Sequence, residues 1–187
     1  MAKTLDEYIQ EISQLAEDRD MSLRWYRDQV RSVVPRSFSE SATTTLIRGG
    51  DIQRRPMYGM LNLYGYLPKH EKILEYYDVF PLVVPIEKLK NGFVGINLHY
   101  LSVPMRYKLL KKLMPLTAEN RIIGWQRVSR FREIKPTVKR YLGRMVRTGF
   151  LPIQEEQEME LVTLMPLQRF RKATQQKVWA DSRRMIA

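Results

Sequence analysis

The sequence predicts an α+β fold, in which a small and mainly antiparallel sheet packs with several basic amphipathic helices and an N-terminal helical extension precedes the sheet. Three observations support this class. Short aromatic and β-branched runs fill residues 57–101, as expected of strands. Apolar residues recur at helical spacing before residue 36 and after residue 104. With 187 residues, 44% of them hydrophobic and 10% aromatic, the chain can bury a sizeable core.

The N-terminal helical extension is predicted to span residues 1–35. Thr4 and Glu7 have the spacing of a capping box and begin a helix over 5–17, and a second helix must end by Pro35. Charges of both signs surround the polar faces of these helices. This pattern favours packing, or docking on a neighbouring protein, over DNA binding.

A linker or arm is predicted over residues 36–56, which are rich in serine and threonine and carry two adjacent glycines. Arg48, Arg54 and Arg55 would suit phosphate contact, but acidic residues interrupt them, and a plain linker is the favoured interpretation. The rest of the chain, residues 57–187, forms the predicted basic α+β domain.

The predicted sheet consists of three runs, at 57–67, 76–86 and 92–101. Pro68–Lys69 is expected to turn the chain between the first two runs, and Asn91–Gly92 to form a hairpin turn before the third. Apolar residues lie on both faces of these runs, which favours a sheet covered by helices.

Two prolines, Pro81 and Pro85, interrupt the second run. Because proline cannot donate a hydrogen bond to a neighbouring strand, they predict that this run is an edge strand or is partly irregular.

Three successive basic helices are predicted after Pro104. The first contains residues 106–114, with leucines on one side and lysines on the other. The second covers 119–132, and the third runs from Pro136 to a C-terminal cap at Gly149.

The C-terminal part is predicted to contain a hairpin and a last helix. Residues 150–153 and 159–165 have the pattern of two short strands, joined by an acidic turn that we interpret as solvated rather than cation-binding. The last helix lies near 167–186 and is again basic.

Positive charge is concentrated in two segments of the chain. The formal net charge is +12, with a pI near 10.0. Residues 1–103 are balanced, residues 104–149 carry 13 basic and 2 acidic side chains, residues 150–164 carry 4 acidic ones, and residues 165–187 carry 6 basic and 1 acidic. Such concentration recruits polyanions by counterion release, although it also suits acidic protein surfaces.

The densest basic clusters are the candidate nucleic-acid-binding residues. Contact with phosphate needs only charge, so the binding they predict is independent of sequence. Trp125, Phe131 and Tyr141 are interleaved at helical spacing and are predicted to be core residues rather than base-stacking platforms. The candidate residues are Arg127, Arg130, Arg132, Lys135, Lys139, Arg140, Arg144, Arg147, Arg169, Arg171 and Lys172.

The sequence offers little for catalysis. It has no cysteine, and it contains no phosphate-binding glycine loop, dinucleotide fingerprint or nucleophile elbow. His70 and His99 lack metal-ligand spacing, so both are predicted to be structural or surface residues. Asp78 enters an apolar run and is predicted to be a turn or salt-bridge residue. We therefore predict no catalytic residue, metal site or cofactor.

Membrane association is not predicted either. The N-terminus lacks the apolar region of a secretory signal, and no uncharged apolar run approaches the roughly 18 residues of a membrane span.

One set of segments forms a pattern that can be compared with known families: Tyr77–Asp78, Phe80–Leu82, Gly92–Phe93, Asn97–Leu101, 135–142 and 164–182. This pattern resembles small virion proteins of large tailed bacteriophages, which are described as DNA end protectors or as structural proteins of the neck or tail. The resemblance covers residues 60–187 and leaves 1–56 as an addition. It implies a virion setting, with the host cytoplasm as the place of assembly, and no established active site.

These observations predict a non-enzymatic tailed-phage virion protein that contacts DNA through phosphate neutralisation. One alternative is a structural adaptor of the phage neck, tail or baseplate, whose basic face meets neighbouring phage proteins. A metal-dependent nuclease, in which Asp78 would act with Glu71, Glu75 or Glu87, is the least favoured alternative because few carboxylates lie near the basic segments.

Overall fold

The computed structural model describes residues 52–117, 125–154, 156–165 and 167–187. The two predicted N-terminal helices and all but the end of the predicted linker lie outside these described residues. None of the helices in the described ranges is long and apolar enough to cross a membrane.

A mainly antiparallel sheet organises the described part of the chain. Five strands form a sheet in the order β5-β4-β3-β1-β6, and β2 pairs with β7 in a separate two-stranded sheet. The strands are β1 Leu61–Leu63, β2 Tyr77–Asp78, β3 Leu82–Leu89, β4 Gly92–Asn97, β5 Val138–Leu142, β6 Leu151–Ile153 and β7 Phe170–Arg171.

Helices occur between the strands and at the C-terminus, which confirms the predicted α+β class. They are α1 Val103–Thr117, α2 Trp125–Val128, α3 Glu156–Leu164 and α4 Gln175–Ile186. Single 3-10 turns lie at Leu98–Tyr100, Arg132–Ile134 and Gly143–Met145.

The hairpin of β3 and β4 forms the centre of the sheet. Its turn contains Lys90 and Asn91, one residue earlier than the predicted turn. The residue after this turn, Gly92, has to be a glycine because the backbone of β5 passes very close to it. A Cβ atom at residue 92 would lie 1.9 Å from the carbonyl oxygen of Tyr141, so any side chain there would push β5 away.

The prediction that the second run is an edge strand is wrong, because β3 lies between β4 and β1. The predicted irregularity is present as a register shift between Pro85 and Glu87. The Pro85 carbonyl accepts a hydrogen bond from the Gly59 amide, so the side of Pro85 that lacks an N–H faces the segment before β1. Since β1 begins only at Leu61, the missing donor breaks no strand pairing there.

The prediction of a helix over 136–149 is also wrong. This segment contains β5 and the 3-10 turn after it, and β5 pairs along β4 with Tyr141 opposite Phe93 and Val138 opposite Ile96. Pairing with β4 places Val138 and Tyr141 against clusters on opposite faces of the sheet, and this tertiary packing overrides the helical pattern that the same residues show in the sequence. The predicted helix over 119–132 ends earlier than predicted, since α2 ends at Val128, and residues 119–124 lie outside the described ranges.

The predicted strand over 159–165 is a helix. Met159 and Val162 are buried at helical spacing within α3, and the Thr163 hydroxyl donates to the Met159 carbonyl 2.6 Å away. The alternation in this short run was thus also compatible with a helix that buries one side. In the same region, the predicted strand at 150–153 is confirmed as β6.

The last helix begins later than the predicted start at 167. Thr174 caps α4 by accepting a hydrogen bond from the Lys177 amide, and before it the chain forms β7. Lys172 lies between these elements with φ at 67°, a left-handed conformation that no helix continues through.

Apolar side chains cover both faces of the five-stranded sheet. On one face, Leu82, Val84 and Ile96 pack with Leu109 of α1 and Val162 of α3. The opposite face carries a separate aromatic cluster that contains Tyr64, Tyr66, Phe93, Tyr141 and Phe150. Within it, Tyr64 meets Tyr141 edge-on with ring centres 5.7 Å apart.

Candidate nucleic-acid interface and buried polar centre

The structure distributes the candidate cations over turns and an edge strand rather than along helices. Most of them lie in the part of the chain that runs from α2 through β5 to the turn before β6. They lie on α2 and its following turn (Arg127, Arg130), at the next 3-10 turn (Arg132, Lys135), on β5 (Lys139, Arg140), in the turn after it (Arg144, Arg147), and around β7 (Arg169, Arg171, Lys172).

Most of the cations between 127 and 147 are exposed, and their side chains form no ion pair or hydrogen bond within the described ranges. The acidic residue of this region, Glu133, is buried and accepts instead from Lys112 at 2.7 Å. No acidic side chain of the described ranges therefore offsets the charge of these exposed cations. We call them the free cation set: Arg127, Arg130, Arg132, Lys135, Arg140, Arg144 and Arg147.

The free cation set includes an edge of the sheet. β5 is the last strand on its side, and Arg140 is exposed opposite Val94 of β4. Positive charge on an edge strand prevents pairing with another chain. The same charge also gives a polyanion a surface that none of the described strands occupies.

Lys139 differs from its neighbours because it lies half-buried against an aromatic ring. Its Nζ is 4.1 Å from the centre of the Tyr100 ring. Burial lowers the pKa of Lys139 to about 8. This lysine is therefore partly neutral just above physiological pH and is a weaker candidate for phosphate contact than the exposed arginines.

Lys172 has a structural role, because its side chain binds backbone carbonyls of another segment. Its Nζ donates to the carbonyls of Glu71, Lys72 and Leu74 at 2.5, 2.9 and 3.0 Å, which ties the loop between β1 and β2 to the segment before α4. A pocket of about 330 Å³ lies beside it, lined by Gln168–Arg171 and Ala173–Gln175.

A buried polar centre joins the two sheets. Asp78 of β2 and His99 contact each other, with Oδ2 2.7 Å from Nδ1. The other carboxylate oxygen of Asp78 accepts from the amides of Phe80 and Arg169 at 3.0 and 3.1 Å. Sequence reasoning assigned structural roles to both side chains, and their full burial and pairing agree with that assignment.

The protonation of the pair follows from burial and contact. Burial alone raises the pKa of Asp78, but the His99 side chain and the two backbone amides outweigh it and the pKa is lowered. Burial lowers the pKa of His99 despite the nearby carboxylate. The pair is therefore an ionised Asp78 and a neutral His99 that donates from Nδ1, which leaves Nε2 buried without a hydrogen-bond partner among the described residues.

Arg106 of α1 is the other charged member of this centre. Its Nε donates to the Leu101 carbonyl at 2.7 Å, and its Nη2 donates to the His99 carbonyl at 3.3 Å and to Gln168 Oε1 at 3.0 Å. Burial lowers its pKa to about 9, so the guanidinium remains charged at neutral pH. Trp179 of α4 donates from Nε1 to the same His99 carbonyl at 3.0 Å.

Sequence reasoning missed Arg106 as a buried residue. The signal was its spacing: Arg106, Leu109 and Leu113 recur at i, i+3 and i+7, which places Arg106 on the apolar side of α1 rather than with the lysines. Gln168 and Trp179 gave no such signal, because only the three-dimensional structure brings their segments to the 3-10 turn at 98–100.

Three carboxylates of the nuclease hypothesis, those of Asp78, Glu71 and Glu75, have other partners within the protein. Asp78 is 4% exposed and its oxygens accept hydrogen bonds from within the protein. Glu71 accepts from the Tyr77 hydroxyl, and Glu75 pairs with Lys177 at 2.9 Å. Within the described ranges, no group of three or more histidine, aspartate or glutamate side chains could hold a metal ion.

The interleaved aromatic residues have three different environments. Tyr141 is buried in the aromatic cluster, and Phe131 is half-buried with Lys112 Nζ 5.3 Å from its ring centre. Trp125 is 48% exposed, so the prediction that it belongs to the core is wrong. It begins α2, where a single helical turn buries Val128 but leaves the tryptophan outside.

Comparison with known proteins gives one match. The model of a family described as Phage T4 terminal DNA protecting protein matches residues 4–182. The match begins near the N-terminus, so it includes the segment that the sequence resemblance left as an addition. A search of curated proteins found no match. A search of solved structures found none either.

Proposed function

Because the chain belongs to the family of the Phage T4 terminal DNA protecting protein, we propose that it is a non-enzymatic phage protein that binds DNA by neutralising phosphates. The observation that carries this proposal is the free cation set between 127 and 147. The family description names DNA, which identifies the polyanion that we propose. The exposed cations are the groups that would contact its phosphates.

The arrangement of these cations supports binding without sequence readout. Base reading in the major groove commonly uses a helix or a two-stranded ribbon that presents side chains to base edges. The free cation set instead lies on one short helix, three turns and an edge strand, each of which presents one or two cations. Charges on such elements can follow a phosphate backbone without a fixed register on the bases.

The proposal is tested by fluorescence anisotropy with two duplexes of unrelated sequence. We expect similar affinity for both duplexes and a steep fall as salt rises, because each phosphate contact contributes about −0.9 to the slope of log K against log salt. Absence of binding at low salt, or a strong preference for one sequence, would contradict phosphate neutralisation.

A second candidate, a structural adaptor of the neck, tail or baseplate, is supported by a different surface. Ile73 is 81% exposed and Leu74 is 38% exposed, and Lys172 holds their loop through three carbonyls. A fixed apolar tip of this kind suits contact with a neighbouring protein. Co-purification with a tail or portal protein that survives nuclease treatment, and is lost in Ile73→Asp, would support this candidate.

We propose that the protein acts in the infected host and is carried in the virion. Detection of the chain in purified, nuclease-treated particles tests the second part of this proposal, since a protein confined to the host would be absent from them.

A further inference from the structure

Phosphate contact alone does not distinguish the end of a duplex from its interior. The phosphates are alike along the duplex, whereas the terminal base pair exposes an aromatic face that is covered everywhere else. A protein of the proposed function that prefers ends therefore gains from a side chain able to stack on that face. This inference rests on the proposed function.

Trp125 has the exposure that such stacking needs. The large apolar side chains exposed in the described ranges are Ile52, Ile73, Leu74, Trp125 and Met185, and Trp125 is the aromatic one among them. By contrast, the indole of Trp179 is partly buried and donates a hydrogen bond to the His99 carbonyl.

The backbone that carries Trp125 is anchored to the core. The Ser129 amide donates to the Trp125 carbonyl at 2.9 Å, which closes the single turn of α2. Val128 in that turn is fully buried in the core. The indole is thus presented from a turn that is anchored to the core, which reduces the entropy lost when the ring stacks on a ligand.

The charge around Trp125 fits a nucleic-acid end. Arg127 and Arg130 follow within five residues, both are exposed, and neither side chain has a hydrogen-bond or ion-pair partner in the described part of the chain. An exposed aromatic ring and exposed guanidinium groups on one short segment are a combination that can bind bases and backbone together. We propose that Trp125 stacks on the terminal base pair of a DNA duplex while Arg127 and Arg130 contact the phosphates next to it.

The test compares one duplex in two forms, with open blunt ends and with both ends closed by hairpin loops. The full-length wild type, Trp125→Leu and Trp125→Phe are titrated with each form at two salt concentrations. Ile73→Leu serves as the matched control, because it changes an exposed apolar side chain outside the free cation set.

We expect the wild type and Ile73→Leu to bind the open form at least about fivefold more tightly than the closed form. Trp125→Leu should bind both forms equally, with unchanged affinity for the closed form, and Trp125→Phe should keep part of the preference. The preference should persist at the higher salt, because stacking releases no counterions.

Three results would overturn the inference: no end preference in the wild type, an undiminished preference in Trp125→Leu, or a complete loss of preference in Trp125→Phe with its fold intact. Each of these leaves phosphate neutralisation standing if the closed form still binds. Failure of the wild type to bind either form would instead contradict the proposed function. If Trp125→Leu does not fold, a fluorescence measurement decides the question. The emission of Trp125 is obtained by subtracting the spectrum of Trp125→Phe from that of the wild type. The open form alone should shield this emission from quenching by iodide, and equal shielding by both forms overturns the inference.

Discussion

Asp78 and His99 form a buried pair at the junction of the two sheets, with Oδ2 of one 2.7 Å from Nδ1 of the other. The carbonyl of the same histidine accepts from Arg106 and Trp179. Four parts of the chain therefore meet there: β2, the 3-10 turn after β4, α1 and α4. The pair belongs to the scaffold, and the surface that we propose for DNA contact lies elsewhere, on the exposed cations between 127 and 147.

Removing the charge of Asp78 should destabilise the protein. Asp78→Asn replaces one carboxylate oxygen with an amide nitrogen, which cannot accept the bonds made to that oxygen and leaves a donor in the core unsatisfied. We expect the free energy of unfolding, measured with urea, to fall by about 3 kcal/mol. Asp181→Asn is the matched control, because Asp181 pairs with Lys177 at the surface of α4 and its substitution should cost much less stability. Equal losses in the two variants would refute the assigned role of Asp78.

Stability should fall as the pH is lowered below neutrality. The pKa of His99 is lowered from 6.5 by burial, so the unfolded chain takes up this proton before the folded protein does, and stability is lost below about pH 6.5. The pKa of Asp78 is lowered from 3.8, so its contribution is present above that value and is lost at more acidic pH. Unfolding free energies measured from pH 8 to 5 should decline for the wild type and for His70→Gln, whose histidine is exposed. The decline should be smaller in His99→Gln, and an unchanged decline there would contradict this assignment.

Lys172→Met should loosen the loop between β1 and β2. The substitution removes three bonds from Nζ to backbone carbonyls, and we expect a loss of about 1–2 kcal/mol in the free energy of unfolding because water competes at this exposed site. Lys90→Met removes an exposed cation that has no such bonds and should be nearly neutral. Faster proteolysis within 68–75 in the first variant alone would locate the effect, and equal stability of the two variants would argue against it.

The central strands could be predicted from the sequence because each shows a clear pattern. The runs around β1, β3 and β4 are rich in aromatic and β-branched residues and apolar on both faces, as strands covered on both sides require, and the turn at Asn91 is a strong local signal. β5 and α3 could not be predicted, because their residues fit either period. Their conformation is decided by partners distant in the chain, such as Phe93 opposite Tyr141.

The charges of the candidate site could be located from the sequence, but their surroundings could not. The sequence shows where the basic residues are concentrated, but only the structure shows how their environments differ. Arg130 is exposed, Lys172 donates to backbone carbonyls, and Lys139 is half-buried. The burial of Arg106 was visible in its spacing with the leucines. The exposure of Trp125 was not, because a helical apolar pattern does not show where a one-turn helix ends.

The most direct test of the account compares two sets of charge substitutions in the salt dependence of DNA binding. Arg127→Gln, Arg130→Gln and Arg132→Gln are combined in one variant. Lys69→Gln and Arg183→Gln, which remove exposed cations outside the free cation set, are combined in the control. The first variant should lose affinity for a closed duplex, and the slope of log K against log salt should become shallower by up to about 2.7, whereas the control should change little. Equal slopes and affinities in the two variants would contradict the claim that the cations between 127 and 147 bind DNA.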